Sequence, residues 1–246
     1  MAAKKPGRAQ EDPPASLLAR VAHGLYGHLA CIQGFSELML HRRIAAEERQ
    51  DMLERVHASA VRLERTLTEV IELEQFDQQV DGHMLLSEQA LAPLVQMTVQ
   101  VWVAQTDHHR LDIAVPESAP LVHIDREKFQ LALGHILTNA LRFSAPDSQV
   151  ALTLCTSRSA GRAEIGIRVE DHGIGMPRAV LAQAFDRYYR ADPHAADRGA
   201  GLGLTLVREI MTALGGRITL SSREGKGTTA TLWLPRPLAA QHRSTR

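Results

Sequence analysis

"EDHGIGMP", residues 170–177, follows directly on the apolar run "EIGIRVE" (164–170). A carboxylate at a strand end, with glycines two and four residues after it, suits a loop whose backbone comes close to a ligand. Taken alone the motif is an ordinary turn signal, so its meaning depends on its surroundings. Further runs with strand character are "VHI" (122–124), "VALTLC" (150–155), "RITLSS" (217–222) and "TTATLWLP" (228–235). Helical patterns lie between them at about 87–105, 126–143, 178–184 and 203–214. Strands interleaved with helices in this way predict a mixed layer of sheet and helix, an α+β region.

Upstream the pattern is different. No proline occurs between Pro14 and Asp77. Leu18, Leu25, Ile32 and Met39 recur every seven residues, with Ala22, Leu29 and Ser36 at the alternate seam positions. That spacing predicts an amphipathic helix with a narrow apolar stripe. After a short basic turn near His41-Arg42-Arg43, a second stripe runs through Leu53, Val56, Ala60, Leu63, Leu67 and Val70. Two such helices form an antiparallel hairpin, which has too little of its own to bury both stripes. A homodimer whose two hairpins make a four-helix bundle resolves that deficit. The expected organisation is a tail (1–14), a helical hairpin (15–78), a second domain (79–237) and a C-terminal tail (238–246), with "QQVDGH" (78–83) as the linker. At 100° per residue His23 lies nearly opposite the first stripe, where a solvated surface histidine is the plain reading. Gly24 and Gly27 stand beside it, although each glycine costs a helix interior about 1 kcal/mol relative to alanine.

Composition narrows the classes. Lys and Arg number 28, as do Asp and Glu, so no overall field favours nucleic acid or an anionic membrane. Cys31 and Cys155 make neither a disulfide framework nor a metal spacing and read as small buried residues of a cytoplasmic protein. No stretch of eighteen apolar residues exists to span a bilayer, and "MAAKKPGRAQEDPP" lacks the apolar core of a secretory signal.

Three more segments join the first. In "HILTNALRFS" (135–144), Asn139 sits within an apolar helix; its amide can hold a metal or ligand, or simply cap or face solvent. "FDRYYRAD" (185–192) clusters aromatics with arginines, and Phe185 suits a packing anchor. "RGAGLGLTLVREIM" (198–211) is a glycine-rich loop opening a helix, where backbone N–H groups can meet phosphate. A dinucleotide fingerprint is excluded because the loop "RADPHAADR", not a strand, precedes these glycines. A protein-kinase glycine loop is excluded because it belongs at the start of its domain, with its partner motifs downstream.

In this order the four segments resemble the N, G1, F and G2 boxes of the sensor histidine kinases, members of the GHKL ATPase superfamily. "HILTNALRF" stands for the usual N-L-L-x-N-A-x-K-aromatic, "DHGIGMP" for D-x-G-x-G-[IM]-P, and "EGKGTTATLWLP" (224–235) for the last strands. "AHGLYGHLACIQGFSEL" stands where the family has its phosphoacceptor helix, and the likeness runs from about residue 17 to 236. The resemblance implies a GHKL α/β sandwich that binds ATP. In it Asn139 would coordinate Mg²⁺, Asp171 would select adenine, and Gly173 and Gly175 would let the backbone pass the base. Gly199, Gly201, Leu202 and Gly203 would meet the phosphates at the edge of a lid at roughly 187–202, together with Arg190. Arg142, where a lysine is usual, would keep positive charge near them as a planar fork, and Phe143 would pack beside the nucleotide. His23 would be the phosphoacceptor, relaying the group to the receiver domain of a response regulator, with the input signal supplied by a separate sensor partner, by the short tail or by a region outside this chain.

Departures cluster at the acceptor. Gly24 replaces the acidic residue that acts as general base, Gly27 the residue associated with phosphatase activity, His28 the helix-bending proline, and His135 the first asparagine of the N box. The resemblance therefore admits three functions. They are a histidine kinase, an ATP-binding pseudokinase or phosphotransferase with little autokinase activity, and a GHKL serine kinase or regulatory ATPase.

Overall fold

The first apolar stripe folds into α1 (Leu17–His41), and the second belongs to α2 (Ala46–Val80). The structure is a computed structural model that describes residues 17–80, 84–103, 110–159, 161–189, 191 and 201–236. These fall into two compact units that divide between Thr68 and Glu69.

In the first unit, contacts step backward along α1 as they step forward along α2. The Ser59 hydroxyl donates to Cys31 Sγ at 3.1 Å, and the Arg55 guanidinium lies 5.7 Å from the centroid of the Phe35 ring. The helices are thus antiparallel. The seam differs from the expected stripe in one respect: Ser59 and Thr66 are buried, whereas Leu53, Ala60 and Leu67 are exposed. A stripe this wide exceeds what one partner helix covers. Cys31 and Cys155 are free thiols and only half-buried, less enclosed than expected.

In the second unit a five-stranded sheet carries the core. β2 (Leu111–Ala114), β4 (Val150–Ser159), β5 (Arg162–Glu170), β7 (Gly227–Pro235) and β6 (Arg217–Arg223) lie side by side in that order. The β2–β4 pair is parallel and the others antiparallel. Alternate residues (Val150 and Leu152, Ile165, Ile167 and Val169, Ala230, Leu232 and Leu234) are buried on one face, each worth about 1.5–3 kcal/mol when fully enclosed as a large aliphatic. The helices α4 (Arg126–Phe143) and α6 (Gly203–Ala213) pack against this sheet and each other, and the short α5 (Arg178–Ala182) lies between them in the chain.

The start of α4 is fixed by Asp125, whose Oδ1 accepts from the Lys128 N–H (3.1 Å) and whose Oδ2 accepts from the Leu85 N–H (3.0 Å). At its other end Arg110 donates to the Leu141 carbonyl, one that a helix C-terminus leaves without a partner, and to the Ala145 and Ser148 carbonyls of the turn beyond it. Two short strands depart from the sequence reading. Ser87–Ala90, expected to begin a helix, forms β1 and pairs antiparallel with β3 (Leu121–Ile124), and α3 begins only at Leu91 and runs to Val103. "SEQA" has no strand propensity of its own; its partner makes it a strand. β2 likewise exists through its pairing with β4.

Candidate functional site

The last turn of α4 carries Asn139, Arg142 and Phe143, all half-buried, and the Arg142 guanidinium sits 5.2 Å from the Phe143 ring centroid. The Phe143 carbonyl accepts the Ile174 N–H at 3.2 Å. That brings segment 171–175 so close that a Cβ on Gly173 would stand 2.1 Å from the Phe143 oxygen. On the other side Gly175 has φ +62°, and a Cβ there would stand 2.0 Å from the Arg223 carbonyl oxygen. The Gly225 N–H donates to the Ile174 carbonyl at 2.7 Å, and the Met176 N–H donates to Ser222 Oγ at 2.8 Å. The loop is clamped between the end of α4 and the β6–β7 turn. Both glycines therefore answer to protein backbone, a nearer reason than the passage of a base.

Asp171 lies at the floor of this clamp. Its backbone exchanges hydrogen bonds with Thr228 in both directions, at 2.9 and 3.2 Å. Its carboxylate, 6% exposed, accepts from the N–H groups of Gly173 (2.9 Å) and Thr228 (3.1 Å). Both bonds end on Oδ1, which leaves Oδ2 to accept from a ligand. Burial pushes the Asp171 carboxyl above the usual range, and the two N–H donors oppose that shift.

The other two segments meet each other, and one of them meets α4. Tyr188, at φ 65°, donates its N–H to the Gly201 carbonyl at 3.0 Å, and Thr205 Oγ1 donates to the Phe185 carbonyl at 2.8 Å. Phe185 is half-buried under the Arg208 guanidinium, as suits a packing anchor. Leu202 is fully buried at the head of α6, and no side chain caps that helix start. Its first N–H groups and the helix dipole are available to an anion. A Cβ on Gly203 would lie 3.2 Å from His135 Nδ1, so the first turn of α6 abuts α4 one turn before Asn139. The four sequence segments thus touch pairwise: 135–143 with 171–175, 135 with 203, and 185–189 with 201–205.

Other expected site residues are not described in this way. Arg190 and Gly199 lie outside the described residues, and His23 lies in α1 with its side chain outside them. The sequence reading missed Thr228, whose N–H helps hold Asp171, and Glu72, which bonds to His135. Neither carries a sequence signal, since each is defined by a partner more than fifty residues away.

A nucleoside triphosphate fits the chemistry of these groups: a buried acceptor oxygen on Asp171, an aromatic ring at the end of α4, and an uncapped helix start. Among the described residues no group of three or more His, Cys, Asp or Glu side chains could cage a metal ion. A divalent cation here would lean on Asn139 and on the phosphates themselves, the usual habit of Mg²⁺.

Residues 124–238 match the family described as histidine kinase-, DNA gyrase B- and HSP90-like ATPase. The sensor protein ArcB of Escherichia coli (strain K12), which controls aerobic respiration, is 28% identical over 243 residues, 95% of this chain and 30% of that protein. The sensor histidine kinase WalK of Bacillus subtilis is 28% identical over 225 residues, covering 89% and 36%. The sensor protein DivL of Caulobacter vibrioides is 31% identical over 222 residues, covering 89% and 27%. Among solved structures, the Acinetobacter baumannii histidine kinase AdeS superposes with a TM-score of 0.60 at 17% identity, over 88% of this chain and 98% of that one. Histidine kinase ThkA, solved in complex with response regulator protein TrrA, gives 0.66 at 18% identity, over 89% and 61%. Within the second unit, residues 124–238 thus resemble the ATPase domains of histidine kinases, gyrase B and HSP90. The chain as a whole is homologous to the sensor histidine kinases of two-component signalling, and spans between 27% and 36% of the three relatives' lengths. No helix among the described residues is long and apolar enough to cross a membrane.

Proposed function

We propose that this chain is the catalytic core of a two-component histidine kinase, taking the γ-phosphoryl group of ATP onto His23 and passing it to an aspartate of a response-regulator receiver domain. The observation that carries this reading is the chain of contacts that links the four segments, with Asp171 in one of them and the uncapped start of α6 in another. Asp171 Oδ2 accepts from the adenine amino group, and Phe143 packs beside the base. Gly201, Leu202 and Gly203 present the first turn of α6 to the phosphates, joined by Arg142, Arg190 and Gly199. The Asn139 amide would hold Mg²⁺, which would supply charge neutralisation at the phosphates. A neutral imidazole nitrogen of His23 attacks the γ-phosphorus; the N–P bond forms as the bond to the β,γ-bridging oxygen breaks, and ADP leaves with that electron pair. The imidazole proton passes to water, because Gly24 stands where the family has its acid.

Residues 15–78 act as the acceptor hairpin and 79–237 as the ATP domain. A second copy of the hairpin covers Leu53, Ala60 and Leu67, apolar side chains left exposed in the single chain, and completes a four-helix bundle. The relative ThkA is held by a response regulator in its crystal, which supports the receiver as partner. Shared use of ATP and a receiver places the reaction in the cytoplasm. Gly24 favours a second reading, a phosphotransferase that takes its phosphoryl group from a receiver and has little autokinase activity.

Incubation with γ-labelled ATP separates these readings. An acid-labile, base-stable label that disappears in His23→Ala supports the kinase. Nucleotide binding without a label supports the phosphotransferase, and an acid-stable label identifies a serine kinase and overturns both.

A further inference from the structure

We propose that His135 is a positioning residue that couples the end of α2 to the nucleotide site through Glu72. The proposal rests on reading that site as an ATP site. His135 Nε2 lies 2.9 Å from Glu72 Oε2, and the two side chains are only 12% and 18% exposed. A carboxylate accepts, so Nε2 is the donor of this bond. Nδ1 is the ring atom nearest Gly203, at the head of α6. On a third side the Trp102 ring stands 5.9 Å from the imidazole, centroid to centroid, and lies across Gly134. The imidazole is therefore held by α2, α3 and α6 at once.

What it holds is the spacing of two groups proposed to meet the phosphates. Asn139 lies four residues further along α4, on the same face, and Gly203 opens α6. Beside this contact Leu73 and Phe76 are buried, and Asp77 pairs with Arg187 at 3.4 Å. Arg187 also binds Glu209 of α6 at 2.7 Å. Glu72 and Asp77 thus tie the last turns of α2 to α4 and to the segment before residue 190. α2 runs without a break from Ala46 to Val80, and its residues 69–80 belong to the second unit. Nucleotide binding tightens the hold on residues 69–80, and by linkage that hold tightens nucleotide binding equally.

The test uses the full chain and a fluorescent trinitrophenyl-ATP analogue with Mg²⁺. His135→Ala and Glu72→Ala should each weaken binding by about 5- to 10-fold, within the usual span of coupling between sites. Their double variant should be no weaker than the worse single, because one contact is lost in all three. Glu72→Gln, which keeps an oxygen to accept the Nε2–H, should stay within about 2-fold of wild type. A second measurement needs no variant: the analogue should slow amide hydrogen exchange across residues 69–80 of the wild type as well as across 171–176. Unchanged affinity in both alanine variants, losses that multiply in the double variant, or exchange at 69–80 indifferent to nucleotide would each overturn the coupling while leaving the site reading intact. A wild-type chain that neither binds the analogue nor gains protection at 171–176 would overturn the site reading itself, and the coupling with it.

Discussion

Helix α1 and the segment 171–175 both place glycine where an ordinary helix or strand end does not ask for it, and their surroundings are opposite. A Cβ added to Gly27 or Gly34 of α1 would meet nothing within 4 Å. A Cβ on Gly173 or Gly175 would stand about two ångströms from a backbone carbonyl oxygen, at 2.1 and 2.0 Å respectively. At Gly27 and Gly34 a side chain would have room in the single chain, so nothing there offsets the cost of about 1 kcal/mol that each glycine imposes on the helix. In the second unit glycine is the only residue that allows α4, the loop and the β6–β7 turn to close. One residue type marks an open surface in the first case and a crowded junction in the second.

The comparison can be broken in four places, in descending order of effect. Gly175→Ala meets both a left-handed backbone and the Arg223 carbonyl; it should destabilise the second unit by about 3 kcal/mol or more in urea unfolding and abolish nucleotide binding. Wild-type stability would show that the junction is slack. Asp171→Asn should weaken the nucleotide analogue by about 30-fold, near the value of a buried charge-assisted hydrogen bond, while leaving the ligand-free protein as stable or more so at neutral pH.

That second sign follows from linkage. The Asp171 carboxyl is raised above 3.8 in the folded state, so the folded chain binds the proton more tightly than the unfolded one. Its contribution favours folding at pH below 3.8 and is lost as pH rises through the raised folded value. Asparagine removes the unfavourable charge at neutral pH, and a loss of unliganded stability would instead show the charge to be needed by the fold. For nucleotide the direction is reversed: affinity should fall on acidification through that same window, and a flat profile would remove Asp171 from the site.

The remaining two changes test the hairpin. Gly24→Glu should raise the autophosphorylation rate by about 10-fold if the absent base limits it, short of the ~100-fold or more of a fully positioned general base. An unchanged rate would assign the proton to water or to another group. Gly27→Ala should raise the thermal midpoint by a few degrees, about 1 kcal/mol of stability. A loss of stability would mean that this open face is covered by a partner.

Much of the second unit was legible from local pattern. The range 126–143 is helical both by periodicity and in the structure because its apolar positions point one way and Asp125 caps it. By contrast "SEQA" became a strand through β3, and Leu53, Ala60 and Leu67 remained outside the hairpin seam that their spacing suggested. The four motif segments could be recognised by order, yet nothing in their spacing shows that Phe143 would bond to Ile174, or Tyr188 to Gly201. His135 was visible as a departure from the family pattern; its partner Glu72, 63 residues earlier, was not.

The sequence by itself determined the residue types that ATP chemistry requires, their order, and the periodicities that make two helices and a sheet, because those depend on neighbours a few residues apart. The tertiary structure alone decided which backbone atoms crowd Gly173 and Gly175, which oxygen of Asp171 is left to accept, and what holds the His135 ring. These depend on contacts between segments distant in the chain, whose geometry no local spacing encodes.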